Sequence, residues 1–475
     1  MTDRRFMRLA AVLFSLLLFA SACAGPQASS SNAEAAPIES ETSGEDGDSE
    51  SRNVGSPSDD EELRDDDGAQ GDAAQRESTQ DELSATGTDT SDDGAPENTG
   101  DGSDSPVDST VASGQDGTSD AEVSSPASSL DDLVDELSAF VERERGLEFV
   151  ERPVVQTLDS GDFNDAFRAL IARDVAENTE SFANFTDVYQ AVGVIDDGSD
   201  LAEIWTRFGD AGALGYYDTA TGEIVLRGGS ELTTFTETVL VHELVHALED
   251  QVFGLDQDER FANRIDEIDW TFSALVEGSA RVIEARYRAT FTQAELEEEN
   301  AARNSIPRSV SLDEFTPSFL ELQFGRYRYG EDFAETLWDF GQAEVDAAYA
   351  DPPATSESVV NPEAFVAGDD QLLDMAFPPA DGDIFEQGTW GQAGFAALLA
   401  DVFDRSEALE RTQGWGNDRF VAWRDGEVSC VRIHVSADSP DALDSYASAL
   451  EEWAQFGDRQ IFFPTADLIR ITSCG

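Results

Sequence analysis

The chain has 475 residues, with 100 Asp and Glu against 29 Lys and Arg and a formal net charge of −71. None of the cations is a lysine. A balance this acidic excludes nucleic acid and anionic lipid surfaces as ligands, and suits a protein kept soluble at high ionic strength, where self-repulsion is screened.

The first 22 residues read as an export signal. Arg4, Arg5 and Arg8 precede a twelve-residue apolar run at 9–20, and Ala20-Ser21-Ala22 supplies small residues before Cys23. Twelve apolar residues fall short of the ~20 that a bilayer span needs, so cleavage is expected in place of a permanent helix. The small residues and the following cysteine resemble a bacterial lipoprotein box, which implies lipidation at Cys23 and an exported protein held to the membrane by that anchor alone. Ala20 stands where such boxes usually have leucine. Residues 23–128 follow as an acidic tether. From 24 to 128 there are 28 Asp and Glu, three Arg (Arg52, Arg64, Arg76) and no Phe, Tyr or Trp. Such a segment cannot bury enough apolar surface to offset its ordering entropy, so it is expected to be a solvated spacer.

The fold is therefore expected within 129–475, as one domain with a C-terminal α/β lobe over 385–475. Apolar residues at Leu130, Leu133, Val134, Leu137, Phe140 and Val141 have the 3–4 spacing of an amphipathic helix over 130–144. A strand at 153–158 and a helix near 165–175 follow, then an irregular stretch. Tyr216-Tyr217 and Ile224-Val225-Leu226 flank a polar loop ending in Gly222, the pattern of a β-hairpin. Helices are expected at 236–252, with Gly254 as the stop, and at 266–287. Further helical patterns fill 312–350, with a turn near Tyr329-Gly330, and a loop opens at Pro352-Pro353. Beyond Phe385 come a helix, a glycine-rich turn at Gly414-Trp415-Gly416, strands, and a helix over 441–456. The class is α+β, a site helix beside a small mixed sheet. Cys430 and Cys474 lie in strand-like segments, and an exported setting favours a disulfide between them.

Only three histidines occur in the chain, and two of them form His242-Glu243-Leu244-Val245-His246. Residues four apart lie on one helix face, so both imidazoles can reach one Zn2+ ion. Glu243, one residue round, can take a proton from an attacking water as general base. A catalytic zinc site needs a third protein ligand. No histidine follows until His434, which leaves an acid: Glu277, on the next helix beside the small residues Gly278 and Ser279, or Asp250, one turn past His246. Residues 242 and 250 are about 12 Å apart in height, too far for three ligands from one helix. Glu277 is therefore expected as the ligand, with Asp250 behind it orienting an imidazole. Glu284, two turns beyond Glu277, reads as a structural charge or an outer carboxylate.

The segment from Thr238 to Gln251 resembles the zinc helix of a group of exported bacterial metallopeptidase-like proteins, whose members read H-E-L-T-H-A-L-Q-D-Q. Gly215-Tyr216-Tyr217-Asp218 with Thr221-Gly222-Glu223 is similar to the group's G-F-Y-D-P-x-T-G-E hairpin. Leu275-Val276-Glu277-Gly278 matches its L-x-E-G, Tyr327 to Gly330 its Y-x-x-G, Pro353 to Pro362 its P-x-S-T-E-Q-I-L-H-P, and Gly414 to Arg419 its G-W-G-G-D-R. Together these cover nearly all of the folded part. The resemblance implies a gluzincin-type zincin fold, with Glu277 as third zinc ligand, peptide-bond hydrolysis, and Tyr327 as donor to the developing oxyanion; Tyr329 and His434 are weaker candidates. It also implies that the strand bearing Tyr216 and Tyr217 binds an extended peptide or protein substrate by strand addition. This chain departs from the pattern at Ser358 and Asn361, where relatives have Gln and His, and at Gln392, where they have Glu. The competing expectation is a surface-binding lipoprotein that keeps the fold without turnover. The intact Glu243 speaks against it, since a purely structural zinc site needs no base.

Overall fold

The computed structural model describes residues 12–14 and 129–475, apart from the short segments 229–232, 262–263, 265, 306–309 and 369–371. Cys23, the acidic tether and most of the leader lie outside the described residues.

Val12–Phe14 forms β1. The helix α1 (Leu130–Arg145) starts where the Ser129 side chain accepts from the Asp132 amide and stops at Gly146, whose φ of 68° is left-handed. Next come β2 (Val154–Leu158), α2 (Ser160–Glu177), α3 (Thr179–Val192), α4 (Leu201–Gly212), and the hairpin β3 (Gly215–Asp218) and β4 (Glu223–Arg227). The two histidines ride on α5 (Thr234–Phe253), capped by the Thr233 hydroxyl and ended at Gly254. Residues 238–249 of α5 are all buried, so this helix is enclosed on every side and has no polar face to show. After α6 (Asp258–Phe261) come α7 (Ile268–Arg288), α8 (Gln293–Ser305), α9 (Pro317–Phe340), α10 (Gln342–Ala350), α11 (Ser356–Val360) and α12 (Pro362–Ala367). The remainder is β5 (Asp383–Gly388), α13 (Gly391–Leu399), α14 (Arg405–Arg411), β6 (Trp415–Asp425), β7 (Val428–Ala437), α15 (Pro440–Trp453), β8 (Arg459–Thr465) and β9 (Leu468–Cys474).

Two separate sheets result. The smaller is mixed, in the order β1-β3-β4-β2, with only β2 and β4 parallel. It lies against α5, where Leu226, Ile224 and Tyr217 share a core with Val239, Leu240 and Leu244. The larger is antiparallel, in the order β5-β6-β7-β9-β8. Cys430 and Cys474 face each other across β7 and β9, and a disulfide joins them. This sheet does not stand apart as a lobe: Trp415, Phe420, Val431 and Ile433 share one apolar cluster with Phe163, Phe167 and Phe208 of α2 and α4. The sheet also has a small apolar cluster of its own, Val421, Trp423 and Cys430 with Phe377 and Ala380.

Three local expectations are corrected. The stretch after α2 is helical, as α3 and α4, with Gly193 and Asp200 marking the break. Gly414 does close a turn, at φ 71°, but Trp415 and Gly416 already belong to β6, where Trp415 is fully buried. Finally, α9 continues unbroken through Tyr329-Gly330. Gly330 is a contact point: a Cβ there would lie 2.0 Å from the Ala274 carbonyl oxygen, and one at Gly278 would lie 1.9 Å from that of Gly330. The glycine allows α7 and α9 to touch backbone to backbone.

The approach to α7 contains a buried acid pair. Glu267 accepts from the Ser356 amide at 2.9 Å, and its carboxylate fills the place of a Cβ at Gly391 (φ 79°). Asp418 accepts from the amides of Trp390 and Gly391 at 2.8 and 2.7 Å. Burial pushes Glu267 up to about 8, with the charges of Asp418 and Asp266 adding to it, and pushes Asp418 up to about 6. The folded state therefore holds the Glu267 proton more tightly than the unfolded chain, where the value is 4.5. Its contribution to stability is complete below pH 4.5 and fades towards pH 8, at up to about 1.4 kcal/mol per pH unit. The thermal midpoint is expected to fall between pH 5 and 8 in the wild type and to fall much less in Glu267→Gln, which keeps the acceptor for Ser356. An unchanged pH slope in the variant contradicts this.

Candidate metal centre

Helical spacing turns His242 and His246 to one face of α5, and their rings meet edge to face with centroids 4.7 Å apart. Across from them α7 brings Glu277. One of its carboxylate oxygens, Oε2, lies 3.2 Å from His242 Nε2 and 3.5 Å from His246 Nε2. The three ligand atoms all fall within 4.8 Å of one another, and each residue is at most 2% exposed. Among the described residues this is the one group of three or more His, Cys, Asp or Glu side chains that converges in this way.

The donor set fits zinc. An ion bound tetrahedrally at 2.0–2.2 Å needs its donors about 3.3–3.5 Å apart, and the two His-to-Glu277 spacings are of that size. Neither ring nitrogen of His246, both buried, makes a well-formed hydrogen bond; Nε2 has only the long 3.5 Å approach of Glu277. Leaving a buried polar atom unmatched costs about 1–3 kcal/mol, and an ion held by Nε2 would relieve that at one of the two nitrogens. Burial pushes the His242 imidazole down, but the carboxylates of Glu277 and Glu284 reverse this and hold it near 10. Burial likewise raises Glu277, while the two imidazoles keep it low, at about 2.

The carboxylate behind the candidate ligands is Glu284, not Asp250. His242 Nδ1 lies 3.3 Å from Glu284 Oε2, which fixes the ring and turns Nε2 towards Glu277. Glu284 is gripped in turn by both oxygens, at 3.0 and 2.9 Å, by Arg281, which also reaches Glu331. Burial opposes the Glu284 charge, and Arg281 and His242 hold it below the usual carboxylate range. Asp250 instead accepts from the Tyr217 hydroxyl and the Leu255 amide, both at 2.7 Å. Where α5 ends, the chain's free amide claims that carboxylate.

Glu243 is fully buried one step round the helix, beside the start of β3. A Cβ on Gly215 would stand 3.0 Å from Glu243 Oε1 and 2.8 Å from Val239 Cγ1, so only glycine leaves this carboxylate its room. The Tyr327 hydroxyl donates to Glu277 Oε1 at 3.1 Å, which puts it at the site's edge on α9. Burial raises the Tyr327 hydroxyl well above its ordinary value, so it stays protonated and able to donate.

Tyr216 and Tyr217 do not have side chains free to hold a substrate. They point to opposite faces of β3, as successive strand residues must. Tyr216 packs between Phe163 and Phe167 in one core, and Tyr217 enters the other and binds Asp250. Tyr329 donates to Glu321, and His434 accepts from Arg470 in the far sheet at 3.0 Å. Neither contact involves the ligand set. Gly215 and Arg281 carry functions that sequence reasoning did not assign, although Gly215 stood inside the hairpin motif.

Comparison with known proteins supplies no counterpart: no family model matches the chain, no curated protein matches it, and no solved structure matches it.

Proposed function

We propose that this chain is a zinc-dependent, gluzincin-type peptidase acting outside the cytoplasm. The observation that carries the reading is the convergence of His242, His246 and Glu277 at zinc-like spacing, with Glu243 buried beside them. Zinc, when bound, would supply Lewis acidity towards a scissile carbonyl and acidify a water. The remaining steps belong to the chain. Glu243 takes the proton of the attacking water and passes it to the leaving amine. Tyr327 stays protonated, and its hydroxyl, which here donates to Glu277, would turn to the developing oxyanion. Glu284 and Arg281 keep the His242 ring from turning. Strand addition at β3 is supported by the antiparallel segment Val12–Phe14 along its outer edge, so binding would rest on backbone contacts. The leader and the small residues before Cys23 support export and a lipid anchor, and the acidic stretch to 128 supports a spacer role.

Metal analysis tests this reading. Purified wild-type chain is expected to carry one zinc per molecule, and His246→Ala and Glu277→Ala to carry far less at equal protein. A folded wild type that takes up no zinc from micromolar solution would overturn it.

A further inference from the structure

Several arginines around the site are matched by acids. On α7, α8 and α9 the guanidiniums of Arg281, Arg288, Arg303 and Arg328 pair with Glu284, Glu299, Glu299 and Glu321. Arg326 differs. Its Nη1 donates to the Ser273 hydroxyl at 3.4 Å, its Nη2 donates to the Gln323 amide oxygen at 2.7 Å, and its Nε is buried with no partner. No carboxylate of the described residues pairs with it. Arg227, Arg286, Arg419, Arg459 and Arg470 are likewise held by neutral groups, but Arg326 is the one of these in hydrogen-bond contact with α7 one turn from Glu277.

Its position gives this a consequence. Arg326 precedes Tyr327, whose hydroxyl touches Glu277, and it contacts Ser273, one helical turn before Glu277 on α7. One turn is about 5–6 Å, and an extended peptide covers about 3.3–3.6 Å per residue. The guanidinium lies against the Trp205 ring, 5.9 Å from its centroid. Its charge also reaches Tyr189, which meets Trp390 edge to face. Arg326 thus rests on the edge of the aromatic core, half-buried and without a carboxylate partner, one turn of α7 from Glu277. Aromatic stacking fixes the plane of a guanidinium, which then presents paired donors to a carboxylate.

We propose that Arg326 is the specificity-determining residue of this site and binds a substrate carboxylate, either the peptide's own C-terminus or an acidic side chain, within about two residues of the scissile bond. The inference rests on the peptidase reading. The alternative is an arginine that merely packs on Trp205.

Fluorogenic peptides alike in sequence separate these outcomes, with the full, zinc-loaded chain as enzyme. One arm compares a free C-terminal acid with its amide, and the other compares Glu with Gln at each of two positions on either side of the cleaved bond. The wild type is expected to favour the carboxylate form in one arm by at least tenfold in kcat/KM, and that arm identifies the source. Arg326→Gln is expected to bring the ratio close to one, mainly through KM, with zinc content and melting temperature unchanged, and Arg326→Lys to restore part of it. A merely packing arginine would shift the melting temperature and leave the ratio alone. Equal cleavage of all peptides by wild type, or a preference that survives in Arg326→Gln, overturns the inference while leaving the peptidase reading intact. Failure of zinc-loaded wild type to cleave any of them overturns both.

Discussion

Arg145→Ala is expected to be the most damaging substitution outside the ligand set. The Arg145 side chain is wholly buried, and its Nε and Nη1 donate at 2.7 Å to Glu249 and Asp346. Phe253, Trp338 and Tyr349 surround the guanidinium, with ring centroids 5.4, 5.7 and 5.6 Å away. Burial opposes the charge, but Glu249 reverses this and holds the group firmly ionised. Glu249 lies three residues past His246 and also accepts from Ser279, two residues past Glu277, and from Tyr349. One buried network thus fastens α1 and α10 to the helices that carry His246 and Glu277. Removing the cation leaves a buried carboxylate uncompensated, a loss of about 3–5 kcal/mol. Denaturant unfolding followed by circular dichroism measures it, and a loss below about 1 kcal/mol contradicts the account. The double variant Arg145→Met/Glu249→Leu is expected to recover much of the stability, because it removes both charges while keeping apolar volume.

The second large effect is expected at Gly278, which is not a ligand. A valine there must place Cβ where the Gly330 carbonyl stands, 1.9 Å from its oxygen and 2.2 Å from its carbon. Backbone cannot move aside as a flexible side chain can, so α7 and α9 must separate. Overpacking of this kind costs about 1–3 kcal/mol and sometimes more. Glu277 is the preceding residue and Tyr327 lies one turn from Gly330, so separation also pulls apart their 3.1 Å contact. Gly278→Val is expected to lower the melting temperature and to weaken zinc binding at least tenfold, read by competition with a chelating dye. Wild-type affinity in a folded Gly278→Val would show that the helix crossing does not set the position of Glu277.

The grouping of the candidate ligands was legible in the sequence to the extent that local spacing dictates it. His242, Glu243 and His246 need only one helix to share a neighbourhood, and α5 is apolar enough to be recognised as a buried helix. Glu277 was legible through its small neighbours, since Gly278 signals that another helix comes close. Which helix, and where, was not. Gly330 reads locally as a turn, because glycine weakens a helix, and only the long-range crossing with Ala274 and Gly278 explains why α9 runs on. Asp250 and Glu284 divide on the same ground. Position on a helix face placed both near the histidines, but the end of α5 claims Asp250 while Arg281 steers Glu284 to His242. The hairpin was read correctly as a hairpin, yet alternation alone does not tell that both faces of β3 are covered. That follows only from α2 on one side and α5 on the other.

The central claim is that Glu243 works as a base at a zinc centre, and the most direct test is peptide hydrolysis by zinc-loaded Glu243→Gln. The amide keeps nearly the same shape beside Gly215 and is not among the ligands, so zinc content is expected to equal that of wild type. Turnover is expected to fall by at least about 10²–10⁴-fold, the range for loss of a positioned general base. Full zinc occupancy with undiminished hydrolysis in that variant would contradict the account.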